Sequence, residues 1–214
     1  MRVGILALQG DFSLHEQRLS EMGVPTLLVR TVEDLRSSDA LVLPGGESTA
    51  LLRLSTAEFR EALGEKIQGG TPTLATCAGI ILLARHVRNP EQESLGLLDV
   101  EVSRNAYGRQ LDSFIEPDLT WTSAGREALK SLHSAEIDAL GSRTLEGVFI
   151  RAPRITSTGK NVRVLVERGL EPVLVSEGNI LAATFHPELS DKVTVIHQLL
   201  VSTFGNPKKS NIFG

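Results

Sequence analysis

The sequence predicts an α/β fold: a three-layer sandwich whose central sheet is mostly parallel, with helices on both faces and extra antiparallel strands in the second half. Two observations predict it. Through the first half, apolar runs of strand length alternate with helix-length patterns joined by short connections, the signature of β-α-β units packed as a parallel sheet. The second half instead contains five extended runs separated by turn residues, which suits antiparallel pairing.

Taken in order, residues 3–8 read as a strand and residues 11–22 as a helix, with Asp11 placed to cap it. Residues 25–29 and 40–43 are strand-like, the second run stopping at Pro44-Gly45-Gly46. Residues 48–63 read as one helix with Ser48 or Thr49 near its cap, 71–76 as a buried strand, and 79–87 as an apolar helix. Extended runs follow at 100–102, 147–150, 162–166, 172–175 and 180–185, with Ser176-Glu177-Gly178-Asn179 turning a hairpin. A last helix over 191–204 carries Val193, Ile196, Leu200 and Phe204 at helical spacing. One domain is expected over 1–204, with an insertion at about 120–146 and a flexible tail over 205–214.

Size and composition narrow the function classes. A chain of 214 residues with 41% hydrophobic and 22% charged residues can bury a sizeable core. A net charge of −4 without a basic stripe argues against nucleic-acid binding. No apolar run approaches the roughly 20 residues of a membrane span, and the strand pattern begins at once without a charged leader. With a single cysteine there is no internal disulfide, so a cytoplasmic location is expected.

That cysteine, Cys77, falls in Thr76-Cys77-Ala78-Gly79, where a strand turns into a helix. Such a turn lifts the thiol out beside the unpaired N–H groups of a helix start, which favour thiolate and can hold an oxyanion. The plain alternative is a free cysteine buried as a small hydrophobe. His186 and Glu188 lie in Phe185-His186-Pro187-Glu188, just after a strand. Pro187 pushes His186 toward extended geometry, so side chains two apart can stand together and the carboxylate can orient the imidazole. The alternative is a solvated surface turn. In Pro44-Gly45-Gly46-Glu47-Ser48-Thr49, two glycines allow close backbone approach and inward N–H groups, but the lysine of a phosphate loop is missing. All three segments sit at carboxyl ends of strands, where parallel sheets collect ligands.

Read together, Leu8-Gln9-Gly10, Pro44-Gly45-Gly46-Glu47-Ser48-Thr49, Thr76-Cys77-Ala78-Gly79, Arg104-Asn105-Ala106-Tyr107-Gly108-Arg109-Gln110, Phe149-Ile150-Arg151-Ala152-Pro153 and Phe185-His186-Pro187-Glu188-Leu189 occur in one order. In this the chain resembles the glutaminase subunits of pyridoxal 5′-phosphate synthase, which are triad-type (class I) glutamine amidotransferases of flavodoxin-like fold. The resemblance implies hydrolysis of L-glutamine to L-glutamate and ammonia by Cys77, His186 and Glu188. It implies an oxyanion hole from the N–H groups of Gly46 and Ala78, and L-glutamine contacts from Gly46, Glu47, Ser48, Arg104, Ile150 and Arg151. Arginine suits the substrate α-carboxylate and a carboxylate its α-ammonium, though which arginine is bidentate stays open. The ammonia would go to a pyridoxal 5′-phosphate synthase subunit whose docking activates the glutaminase, with Gln9 as a partner-linked residue. No metal and no cofactor is expected, since His15, His86, His133 and His197 form no ligand set with the cysteine; His15, on the first helix, is expected to be structural.

The stretch 119–146 is longer than in compact members of that family, and its helix-like run 125–132 behind Trp121 is expected to pack its own small apolar face or to serve as a partner contact or lid. Three rivals stand beside the reading: a catalytically silent module on the same scaffold, a glutaminase serving another synthase such as imidazole glycerol phosphate synthase, and a cysteine peptidase or hydrolase using the same turn.

Overall fold

The computed structural model describes residues 2–104, 106, 113–130, 132, 144–190 and 194–202. The tail, residues 131 and 133–143 of the insertion (His133 among them) and all of 105–110 except Ala106 lie outside the described residues.

In chain order the elements are β1 (Val3–Leu6), α1 (Phe12–Glu21), β2 (Thr26–Val29), α2 (Val32–Arg36), β3 (Ala40–Leu43), α3 (Ser48–Leu54), α4 (Ala57–Gln68), β4 (Thr73–Thr76), α5 (Ala78–Leu83), β5 (Ala84–Arg88) and β6 (Leu98–Ser103). There follow β7 (Phe114–Trp121), α6 (Ser123–Lys130), β8 (Leu145–Phe149), β9 (Arg154–Thr158), β10 (Arg163–Arg168), β11 (Glu171–Glu177), β12 (Ile180–Ala183), a 3₁₀ turn (Pro187–Leu189) and α7 (Thr194–Ser202).

Nine strands form the main sheet in the order β2-β1-β3-β4-β12-β11-β10-β7-β8. The first five are parallel and the remaining pairings antiparallel, the division expected from the two halves of the sequence. The β3, β4 and β12 strands are buried at every position, because helices cover both faces of the parallel part. Alternation along each strand assigns the two cores. Val3, Ile5, Val42, Leu74 and Leu181 pack with Leu19 of α1 and with Ile196, Leu199 and Leu200 of α7. Leu6, Leu41, Leu43 and Ala75 pack on the other side with Leu51 of α3, Phe59 and Leu63 of α4, and α5. No helix among the described residues is long and apolar enough to cross a membrane.

Several local expectations are corrected. The helix expected over 48–63 is two helices: Ser55 and Thr56 are extended, and the Thr56 hydroxyl accepts the Phe59 N–H to cap α4. The helix expected over 79–87 stops at Leu83, and the chain enters β5. There Arg85 and Arg88 pair across the small β5-β6-β9 sheet with Asp99 (2.6 Å) and Glu101 (3.2 Å), which strand geometry allows. Strands β7 and β9 were not anticipated. The helix expected behind Trp121 exists as α6, but its Ala128 and Leu129 are buried in the main core rather than against a small face of their own. The Ser176–Asn179 hairpin forms as expected, joining β11 to β12 antiparallel.

Candidate active site

Because β1, β3, β4 and β12 are neighbouring parallel strands, the loops leaving their carboxyl ends meet on one edge. These loops hold Gln9, Gly10 and Asp11; Pro44 to Ser48; Cys77; and His186 to Glu188. Tertiary hydrogen bonds hold the loops together. Cys77 N donates to Ala183 O at 2.9 Å, His186 N to Val148 O at 2.8 Å, and Asp11 N to Gly45 O at 3.2 Å.

Cys77 sits between β4 and α5 at φ 46, ψ −102, a left-handed conformation that costs a non-glycine residue on the order of 1–3 kcal/mol. The tight turn is possible because its neighbours are small. The thiol is 5% exposed, with Sγ 4.0 Å from Ile150 O. Across from it, His186 Nδ1 lies 2.7 Å from Glu188 Oε1, both side chains buried. The pair forms as expected, although the loop continues into a 3₁₀ turn rather than staying extended. A carboxylate only accepts, so Nδ1 carries the proton and Nε2 is left for the thiol side; Nε2 has no other partner among the described residues. Burial works against the His186 imidazolium, but hydrogen bonding and charge from Cys77 and Glu188 outweigh it and raise its pKa well above 6.5. Burial likewise pushes the Glu188 carboxyl up, but His15 together with the hydrogen bond and charge of His186 holds it at about 2.

A cavity of about 260 Å³ opens over these groups, lined by Asp11, Gly46, Glu47, Ser48, Cys77, Arg104, Ile150, Arg151 and His186 among others. Every residue expected to contact L-glutamine is therefore on one wall or another. Gly46 adopts φ +144, open to glycine alone, and the Gln9 side chain packs against it, Gln9 Oε1 accepting the Glu47 N–H at 3.0 Å. Ala78, fully buried, is the first residue of α5, where helical N–H groups lack intrahelical acceptors. Glu47 also shapes the loop itself. Its carboxylate, rather than Ser48 or Thr49, caps α3, accepting Thr49 N at 3.0 Å and Ala50 N at 2.7 Å. Although its partial burial opposes ionisation, these bonds lower its pKa. Arg104 reaches the same helix start, donating to Thr49 Oγ1 at 3.1 Å and lying 3.7 Å from Glu47 Oε1. Arg151 is exposed with φ 45. Ser48 Oγ donates to Gln92 Oε1 at 2.9 Å.

Three features escaped the sequence reading. Asp11 begins α1 without capping it; its carboxylate lies 3.8 Å from His186 Nδ1 instead. Asp11, His186 and Glu188 are the one set among the described residues with ligand atoms close enough for a metal, and within it His186 Nδ1 and Glu188 Oε1 are already bonded to each other at 2.7 Å. Gln92 belongs to no motif. His15, expected to be structural, adjoins Glu188 from behind, and His197 adjoins His15; the two are 182 positions apart, so no local signal joins them.

Comparisons with known proteins place the chain in a family. Residues 5–206 match the model of the SNO glutamine amidotransferase family. A pyridoxal 5′-phosphate synthase subunit PdxT of Thermotoga maritima is 48% identical over 192 residues, covering 89% of this chain and 93% of the relative. One of Thermosipho africanus is 41% identical over 204 residues, covering 94% and 98%. A crystal structure of a glutamine amidotransferase superposes with a TM-score of 0.78 at 38% identity, covering 94% of this chain and 97% of that one. The flavodoxin-like α/β architecture expected from the sequence is thus found in a solved relative, and the chain belongs to the SNO glutamine amidotransferase family.

Proposed function

We propose that this chain hydrolyses L-glutamine to L-glutamate and ammonia through a thioester on Cys77, and that the ammonia passes to a pyridoxal 5′-phosphate synthase subunit. The carrying observation is that the strained Cys77 turn and His186, which is paired with Glu188 behind it, share the wall of one cavity that also holds Arg104 and Arg151.

In this reading the Cys77 thiolate attacks the side-chain amide carbon. The N–H groups of Gly46 and Ala78 hold the resulting oxyanion; removing one such donor costs about 2.7–4 kcal/mol of transition-state stabilisation. The His186 imidazolium gives its proton to the departing ammonia. It then takes one from the water that cleaves the thioester, releasing glutamate, while Glu188 keeps the ring oriented. The arginines serve the substrate α-carboxylate and Glu47 its α-ammonium, with Ser48 and Ile150 completing the wall. The synthase subunit as acceptor is supported by the names of the relatives in Thermotoga and Thermosipho. Gln9, already bonded to the Glu47 N–H, is the residue through which docking reaches the oxyanion loop. The unpaired Cys77 supports a cytoplasmic location.

The test is glutamine-dependent ammonia release by the chain mixed with a pyridoxal 5′-phosphate synthase subunit. Activity is expected for the native chain and none for Cys77→Ala. An inactive native mixture, or an active Cys77→Ala protein, overturns the proposal. For Gln9, the activity of Gln9→Ala should lose its response to the synthase subunit; an unchanged response dismisses the role.

A further inference from the structure

Behind the triad, away from the cavity, lies a buried row of polar groups that the mechanism above does not use. Glu188 offers its two oxygens to different imidazoles: Oε1 is 2.7 Å from His186 Nδ1, and Oε2 is 3.2 Å from His15 Nε2. His15 Nδ1 is 2.9 Å from His197 Nε2, and His15 Nε2 also faces Thr76 Oγ1 at 3.2 Å. His15, His197 and Glu188 are all 0% exposed.

Hydrogen-bond chemistry assigns the protons. His15 Nε2 makes its hydrogen bond with Thr76 Oγ1 and stands 3.2 Å from Glu188 Oε2, an oxygen with no hydrogen-bond partner among the described residues. A bare nitrogen lone pair that close to a carboxylate would be repelled, so Nε2 carries the proton. A neutral His15 then has a bare Nδ1, which accepts the Nε2–H of His197. His197 Nδ1 is left as a bare acceptor, and it has no partner among the described residues. Both rings are held neutral: burial lowers the pKa of each, that of His197 to about 3. The row therefore runs in one direction, His197 to His15 to Glu188, with each tautomer set by the next group.

We infer that His15, locked in its donor tautomer by His197, is a positioning residue of the active site that fixes Glu188 from the side opposite His186. Such outer partners orient the group that orients the base. The other titratable or charged groups facing this region are Arg18, whose Nε donates to Glu188 O at 3.1 Å, Asp11 3.8 Å from His186 Nδ1, Glu146 bonded to Ser190, and Cys77. None of them substitutes for the N–H at Oε2.

The test uses the single cysteine, so it does not depend on the chain being a glutaminase; only its last arm rests on that reading. The rate of Cys77 alkylation by iodoacetamide is followed from pH 5 to 9. In His15→Phe the rate near pH 7 should fall about 10-fold and its pH dependence should move upward, because a less firmly held carboxylate supports less thiolate–imidazolium pair. His15→Gln, which can return an N–H to Oε2, should restore most of the rate. With the synthase subunit present, kcat for ammonia release should fall in His15→Phe while KM for glutamine stays put. Folded His15→Phe with a native alkylation profile, or His15→Gln as impaired as His15→Phe, overturns the inference. Should His15→Phe not fold, histidine ¹⁵N spectra of the native protein decide: neutral Nε2–H rings for both His15 and His197 at pH 7 support it, and a charged ring or an Nδ1–H tautomer for either refutes it. A loss of glutaminase activity in the native chain, with the alkylation and spectral results intact, would refute the proposed reaction and leave the positioning role standing.

Discussion

Gly45 gives a sharp test of how tightly the 44–48 loop is fitted against Cys77 and His186, the groups proposed to carry catalysis. A methyl group at this position would stand 3.0 Å from His186 Nδ1, closer still to Cε1, and 3.3 Å from Cys77 Cβ. Ordinary contact begins at 3.4 Å, so the ring must retreat by at least 0.4 Å (3.4 − 3.0) at Nδ1 and by more at Cε1. It cannot simply swing aside, since Nδ1 is held by Glu188 at 2.7 Å and the side chain is 3% exposed. Either the ring shifts away from the thiol or the loop moves outward with Gly46. Overpacking of this kind costs about 1–3 kcal/mol of stability, and a misplacement approaching 1 Å at reacting groups costs about 100-fold in rate. Gly45→Ala should therefore fold cooperatively in urea, bind glutamine with a modestly changed KM, and lose about two orders of magnitude in kcat when assayed with the synthase subunit. A variant with native kcat would refute the reasoning, for it would mean that the loop and the imidazole are not in contact during turnover.

Other perturbations probe separate contacts. Glu188→Gln keeps an acceptor for His186 but loses the charge that favours the imidazolium, so kcat should fall on the order of 100-fold, and a native rate would remove Glu188 from the mechanism. Stability should fall with acid: His197 is neutral when folded, with its pKa lowered to about 3 from 6.5, so below 6.5 the unfolded chain takes a proton that the folded one refuses. At pH 5 that difference is worth about 2 kcal/mol in urea denaturation. His15 acts in the same direction, and Glu188 adds to the loss below about 4.5, whereas the raised pKa of His186 costs stability only as pH rises through it. A flat stability between pH 6.5 and 5 would contradict the burial of neutral imidazoles. Thr56→Ala, which removes the cap of α4, should lower stability by about 1 kcal/mol and leave Cys77 alkylation untouched.

Features that depend on near neighbours in the chain were legible from the residues alone. Runs at 40–43, 71–76 and 180–185 have the character of strands, and they became β3, β4 and β12, the last two shortened to Thr73–Thr76 and Ile180–Ala183. The small residues around Cys77 allow a strained turn, and the two-residue step from His186 to Glu188 is short enough for one chain segment to bring imidazole and carboxylate together. Boundaries set by competition were less legible. The run 79–87 is apolar enough for a helix, but pairing of Arg85 and Arg88 with Asp99 and Glu101 draws its second part into a sheet. Glu47 rather than Ser48 caps α3 because its longer side chain reaches back to Thr49 N and Ala50 N while Ser48 turns to Gln92. Asp11 has a capping position but not a capping geometry. What stands behind Glu188 was settled by packing between distant segments. His15 and His197 lie on helices far apart in the chain, and neither has a sequence pattern that distinguishes it from an ordinary buried histidine. They meet because α1 and α7 pack over the same face of the sheet, and that packing sets His15 Nε2 3.2 Å from the Glu188 oxygen that accepts no hydrogen bond among the described residues.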